Sequence, residues 1–87
     1  MIRIGYGDVF LKNARSLPSS QKKKLQTALL FLGQDPFDSR LHSKKLAGEL
    51  FGCFSFRIGK DWRVLYQFLD SQSIKLINVG HRKDIYR

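Results

Sequence analysis

Apolar and polar residues alternate with period two in "IRIGY", and that alternation predicts a short first strand. From Asp8 the period changes. Val9, Phe10, Lys12, Asn13 and Ala14 suit a short amphipathic helix that Asp8 can cap. "SLPSS" interrupts the pattern, and a second helix is predicted from about Ser19. It carries Leu25, Ala28, Leu29 and Leu32 at i, i+3, i+4 and i+7, a single apolar stripe. Gly33 and Pro36 close it in the order expected of a helix end. The two helices are expected to form a hairpin on one face of a sheet.

Beyond the basic connector "RLHSKKLAGEL" the pattern turns to strands: "FGCFSFRI", "WRVLYQFL" and "SIKLINVG", with turns at "GKD" and "DSQS". The fold class is therefore α+β, ordered β-α-α-β-β-β, with the helical hairpin packed on a curved antiparallel sheet. Pairing follows from parity. If Phe54, Phe56 and Ile58 face the core, so should Trp62, Val64, Tyr66 and Phe68, and the three-residue loop Gly59-Lys60-Asp61 permits that register. Ile58 then opposes Trp62, and Arg57 opposes Arg63 on the face away from the helices. Two like charges side by side destabilise a strand pair, so this juxtaposition hints at function. Leu65 and Leu69 share that face, which predicts an apolar surface needing cover from the chain's own ends or from a partner. The register of the last strand stays open.

The chain has 87 residues, 43% of them hydrophobic, so we expect a single domain over 1–87 with a modest core. No apolar run is long enough to span a membrane, and the N-terminus lacks a signal-peptide pattern, so a cytoplasmic protein is expected. Cys53 is the lone cysteine; it excludes an internal disulfide and suits a small core residue. Charge changes the picture most. Sixteen Lys and Arg against seven Asp and Glu give a net charge of +9, which makes nucleic acid the leading partner. Phosphate-binding glycine loops, zinc spacings and nucleophile elbows are absent, and the acidic residues are scattered.

The candidate chemistry gathers at "VGHRKDIYR". Arg82 follows the last strand and can approach Arg57 and Arg63, three planar forks of donors suited to one phosphodiester. The plainer reading is three separate surface arginines, paired with Glu49, Asp61 or Asp84. Tyr86 is a candidate for proton transfer or base stacking, or else a C-terminal anchor. His81 is a second candidate for moving a proton, or a hydrogen-bonded residue at a strand end. Arg40, Lys44, Lys45 and Lys60 can track an RNA backbone without reading bases, although charge runs are usually solvated faces. His42 is assigned to that solvated connector.

The stretch "LAGELFGCFSFRIGKDWRVLYQF", the closing "VGHRKDIYR" and the helical hairpin before them resemble the RelE/ParE superfamily of toxins from type II toxin–antitoxin modules. The resemblance covers nearly the whole chain. It implies a metal- and cofactor-free messenger-RNA endonuclease acting in the ribosomal A site, with ribosome and mRNA as partners. Arg57, Arg63, Arg82 and Tyr86 match the family's catalytic positions, and in some members the position of His81 transfers the proton. Ser55 departs from the pattern, standing where well-studied ribonucleases of the family carry a lysine. The resemblance also implies a small acidic antitoxin that neutralises the charge and covers the apolar face, operator DNA being reached only through it. Two alternatives accompany it: a ParE-like inhibitor of DNA gyrase, and an inactive module that only binds antitoxin.

Overall fold

The computed structural model describes residues 1–86. Its elements run β1 (Arg3–Tyr6), α1 (Asp8–Arg15), α2 (Ser19–Gln34), β2 (Lys44–Lys45), β3 (Phe54–Ile58), β4 (Trp62–Asp70) and β5 (Ser73–His81), with short 3₁₀ turns at Ser39–Leu41 and Gly48–Leu50. The five strands form one sheet in the order β1-β5-β4-β3-β2. The expected meander of β3, β4 and β5 is present, with Arg57 opposite Arg63 and Ile58 opposite Trp62. None of the helices is long and apolar enough to cross a membrane.

Two features of the sheet differ from expectation. β1 pairs with β5 in parallel, Arg3 beside Ser73 through to Tyr6 beside Leu76, so the sheet is mostly but not wholly antiparallel. The basic connector is also not all loop, because Lys44 and Lys45 pair with Ser55 and Phe54 as a two-residue edge strand. Lysines on a short edge strand discourage further pairing with other chains, so a charge run and a strand are compatible here.

Helix α1 begins immediately after β1. Asp8 is its first residue rather than its cap; the cap position is Gly7, whose N–H donates to the Leu76 carbonyl at 2.9 Å. A β-carbon on Gly7 would lie 2.7 Å from that carbonyl oxygen, so only glycine permits so close an approach. The second helix ends at Gln34, one residue beyond Gly33.

α1 packs on β5 and α2 on β3. Between helices and sheet lie Phe10, Leu25, Ala28, Leu32, Leu41, Phe56, Ile58, Val64, Tyr66, Ile74, Leu76 and Val79, the stripe and the alternation that the sequence pattern marks out. Tyr66 is fully buried, and its hydroxyl has no hydrogen-bond partner among the described residues. Burial pushes its phenol up; the nearby Ser43 hydroxyl opposes this, but it is itself committed to the Pro36 carbonyl at 2.6 Å. An orphaned buried hydroxyl costs more than it returns. Tyr66→Phe is therefore expected to raise stability by roughly 1 kcal/mol, read as a higher urea midpoint with an unchanged slope.

The face away from the helices corrects one expectation and keeps another. Leu65 is not exposed: it is 4% accessible, outside the main core. The chain's own C-terminal turn returns to this face, beside the strand neighbour Ser55. Leu69 is 62% exposed because it is the extra residue of a bulge between Phe68 and Asp70. A second bulge lies at Leu65/Tyr66, where Asn78 and Leu76 are the partners and Ile77 is the extra residue.

Candidate active site

On the helix-free face β3 and β4 present Ser55, Arg57 and Arg63, alternate residues of a pleated pair. The chain leaves β5 at His81 and turns back at once. The N–H groups of Asp84 and Ile85 both donate to the His81 carbonyl, at 2.9 and 3.0 Å, and Ile85 is buried against Gly80. This turn carries Arg82 and Tyr86 to the same face. The result is an open cleft of about 550 Å³ lined by Arg57, Arg63, Arg82 and Tyr86, together with Ser55, His42, Lys44 and Lys83.

The loop Gly59-Lys60-Asp61, with Gly59 in the left-handed region at φ 66°, holds two of the guanidiniums. Arg63 donates through Nη1 to the carbonyls of Lys60 and Trp62, both at 3.0 Å. Arg82 donates its backbone N–H to the Asp61 carbonyl at 2.7 Å, and its Nε lies 3.2 Å from the Asp61 carboxylate. One tight turn thus fixes both arginines before any ligand arrives. Among the described residues, ion pairs form only at Arg82–Asp61 and Arg40–Asp38. Arg57 and Arg63 therefore stand side by side with no carboxylate between them, an arrangement that an anion relieves.

Tyr86 spans the cleft. Its hydroxyl donates to Ser55 Oγ at 3.2 Å, and Ser55 is the strand neighbour of the buried Leu65, so the terminal turn lies on the same face as that leucine. Tyr86 thereby anchors the terminus and lines the cleft at once, and the two readings of it are compatible.

Other candidates fall elsewhere. His81 pairs with Trp62, whose side chain belongs to the helix side, so the imidazole lies on the far face from the arginines. It packs edge-on against the Trp62 ring with centroids 5.4 Å apart, and its Nδ1 accepts the Lys83 N–H at 3.2 Å. That removes it from the cleft. Arg40 is occupied within the chain: Nε and Nη2 donate to Asp38 at 3.0 and 2.7 Å, and the guanidinium lies 3.7 Å over the Phe31 ring. The same contact holds the Asp38 carboxyl down at about 2. Lys45 pairs with Phe54 and projects to the helix side, and Lys60 sits at the exposed loop tip, so of the four proposed RNA contacts only Lys44 lines the cleft.

His42, Ser55 and Lys83 are the additions. His42 ends the 3₁₀ turn in the left-handed region at φ 51°, unusual for a residue with a side chain. Ser55 was legible, since i and i+2 on a strand share a face with Arg57. His42 carried no such signal. Among the described residues no three of His, Cys, Asp and Glu converge as a metal site would require.

Fold and cleft together define a small α+β domain whose sheet, rather than its helices, carries the basic cleft. The chain belongs to the ParE toxin family: the family described as "ParE toxin of type II toxin-antitoxin system, parDE" matches residues 9–86. Among solved structures it is similar to the YoeB/ParE toxin from Agrobacterium tumefaciens, 17% identical over 92% of this chain and 98% of that one, with a TM-score of 0.78. YafQ from E. coli is 18% identical over 100% of both chains at a TM-score of 0.78. The archaeal RelE–RelB complex from Pyrococcus horikoshii matches at 23% identity, 95% and 97% coverage and a TM-score of 0.77. At these identities the likeness concerns the fold. No curated protein sequence matches this chain significantly.

Proposed function

We propose that this toxin is a ribosome-dependent messenger-RNA endoribonuclease. The observation that carries the reading is the convergence of Arg57, Arg63, Arg82 and Tyr86 on one cleft. In the proposed reaction the 2′-oxygen attacks the adjacent phosphorus and the P–O5′ bond breaks. A 2′,3′-cyclic phosphate and a free 5′-hydroxyl result, the proton lost from the 2′-hydroxyl being balanced by one gained at the departing 5′-oxygen. The phosphorane carries one more negative charge than the diester. Three guanidiniums lining one cleft, two of them already held by the Gly59–Asp61 loop, stabilise it more than the ground state, each such donor being worth ~10²–10³ in rate. The Tyr86 phenol is the proton-transfer or stacking group. Substrate alignment is left to the ribosome, which is why so few protein groups suffice. The reaction needs no cofactor or metal.

The partner would be an acidic antitoxin, as solved complexes of the YoeB–YefM and RelE–RelB pairs suggest by fold. A surface of +9 favours rapid capture by such a protein. Operator DNA would be contacted through the antitoxin, and the ribosomal target places the work in the cytoplasm.

The matching family carries the ParE name, so inhibition of DNA gyrase by binding alone is kept as the second reading to be tested. Adding purified protein to a translation extract and mapping message 5′ ends separates the two. Prompt, codon-phased cuts are expected. Intact messages combined with blocked gyrase supercoiling would transfer the assignment to the second reading.

A further inference from the structure

Resting on the ribonuclease reading, we propose that Ser55 is a positioning residue for Tyr86, its hydroxyl acting as the neutral acceptor that aims the phenol into the cleft. Ser55 is 2% accessible, the second residue of β3, with Lys44 beside it on one flanking strand and Leu65 on the other. A strand position so buried is served best by an apolar side chain, because a hydroxyl there costs free energy unless it is bonded. Among the described residues its side chain has one partner, the Tyr86 hydroxyl at 3.2 Å. The bond joins residues 31 apart in sequence. Tyr86 itself remains 42% exposed, so the contact does not serve to bury the ring. Its effect is directional.

The rest of the turn supports that purpose. Gly80 lacks the β-carbon that would stand 3.3 Å from Ile85 Cδ1, so Ile85 seats closely and brings the next residue over β4. Once the phenolic O–H is committed to Ser55, the lone pairs of the phenolic oxygen are left for a donor in the cleft, where a 2′-hydroxyl would lie. A chain of the form 2′-hydroxyl to Tyr86 to Ser55 polarises each bond in it, strengthening the phenol as an acceptor. A lysine at this position would supply charge. Serine supplies orientation instead, so the loss of that cation does not by itself make the module inactive.

Single-turnover cleavage on programmed ribosomes, for the full chain and three variants, tests this directly. Ser55→Ala is expected to slow cleavage roughly five- to tenfold, the effect of one hydrogen bond, with ribosome binding unchanged. Tyr86→Phe should cost ~10²–10⁴, the range of a proton-transfer group. In the Tyr86→Phe background Ser55→Ala should cost nothing further. An equal slowing in both backgrounds would overturn the proposal. A second readout is independent of activity: the Tyr86 ring resonances should shift and sharpen in Ser55→Ala while those of Tyr6 and Tyr66 stay in place. Unmoved Tyr86 signals would also overturn it. If the parent protein cuts no message, the ribonuclease reading fails on its own, and the ring resonances still decide whether Ser55 aims the phenol.

Discussion

Replacing Arg82 with alanine is expected to abolish growth arrest and to lower message cleavage by ~10²–10³, with the thermal midpoint nearly unchanged. The two halves of that expectation have different origins. Arg82 is half exposed, and its carboxylate partner Asp61 is 42% accessible, so water replaces the lost contact at little cost. The backbone bond from residue 82 to the Asp61 carbonyl survives the substitution, and the terminal turn keeps its place. In the proposed reaction, by contrast, the loss removes one of the three cleft arginines that would donate to the phosphate. Arg15→Ala, which removes the same charge from α1 on the helix side, is the matched control and should retain toxicity. Growth on induction, message 5′-end mapping and a melting curve on each protein check the result. Full toxicity in a folded Arg82→Ala protein would defeat the assignment.

The second large effect is on the fold. Phe56 is fully buried at the centre of the sheet, its ring 5.9 Å from that of Tyr66. Phe56→Ala removes that ring from the packed layer between α2 and the sheet and leaves a cavity there, a loss of about 3–5 kcal/mol. Small domains hold roughly 5–15 kcal/mol in total. The variant should therefore melt on the order of 15 °C lower or more, which calorimetry would register. A shift of only a few degrees would mean that the cavity closes and that the packing is looser than described. Comparing Phe56→Ala with Arg82→Ala separates loss of toxicity through unfolding from loss through chemistry.

The residues made some of this arrangement readable and concealed the rest. The Arg57–Arg63 pair was legible because a three-residue loop and a run of alternating aromatics fix parity without knowledge of any other strand. The position of His81 was not, because the "DSQS" turn leaves the register of β5 open and a bulge at Ile77 interrupts the alternation. Given that His81 pairs with Trp62, a residue on the helix side, its absence from the cleft follows at once. β2 was concealed for a different reason: two lysines have low strand propensity, and only the edge of β3 beside them makes a strand of them. The parallel pairing of β1 has no local signature, since it joins residues that only the finished fold brings together. Leu65 looked exposed by parity alone, because nothing in the pattern says that the last residues return across the sheet.

That parallel pairing bears on how the protein is made. Arg3 meets Ser73, and the Nε of one donates to the side-chain oxygen of the other at 3.2 Å, across 70 residues of sequence. A contact so distant forms late and slowly, after the chain has paid for closing a long loop. During synthesis the first strand must therefore wait for nearly the whole polypeptide to emerge before its edge is satisfied. A chain that stopped short of residue 73 would leave β1 without its parallel partner, so no shortened product of this sequence closes the sheet.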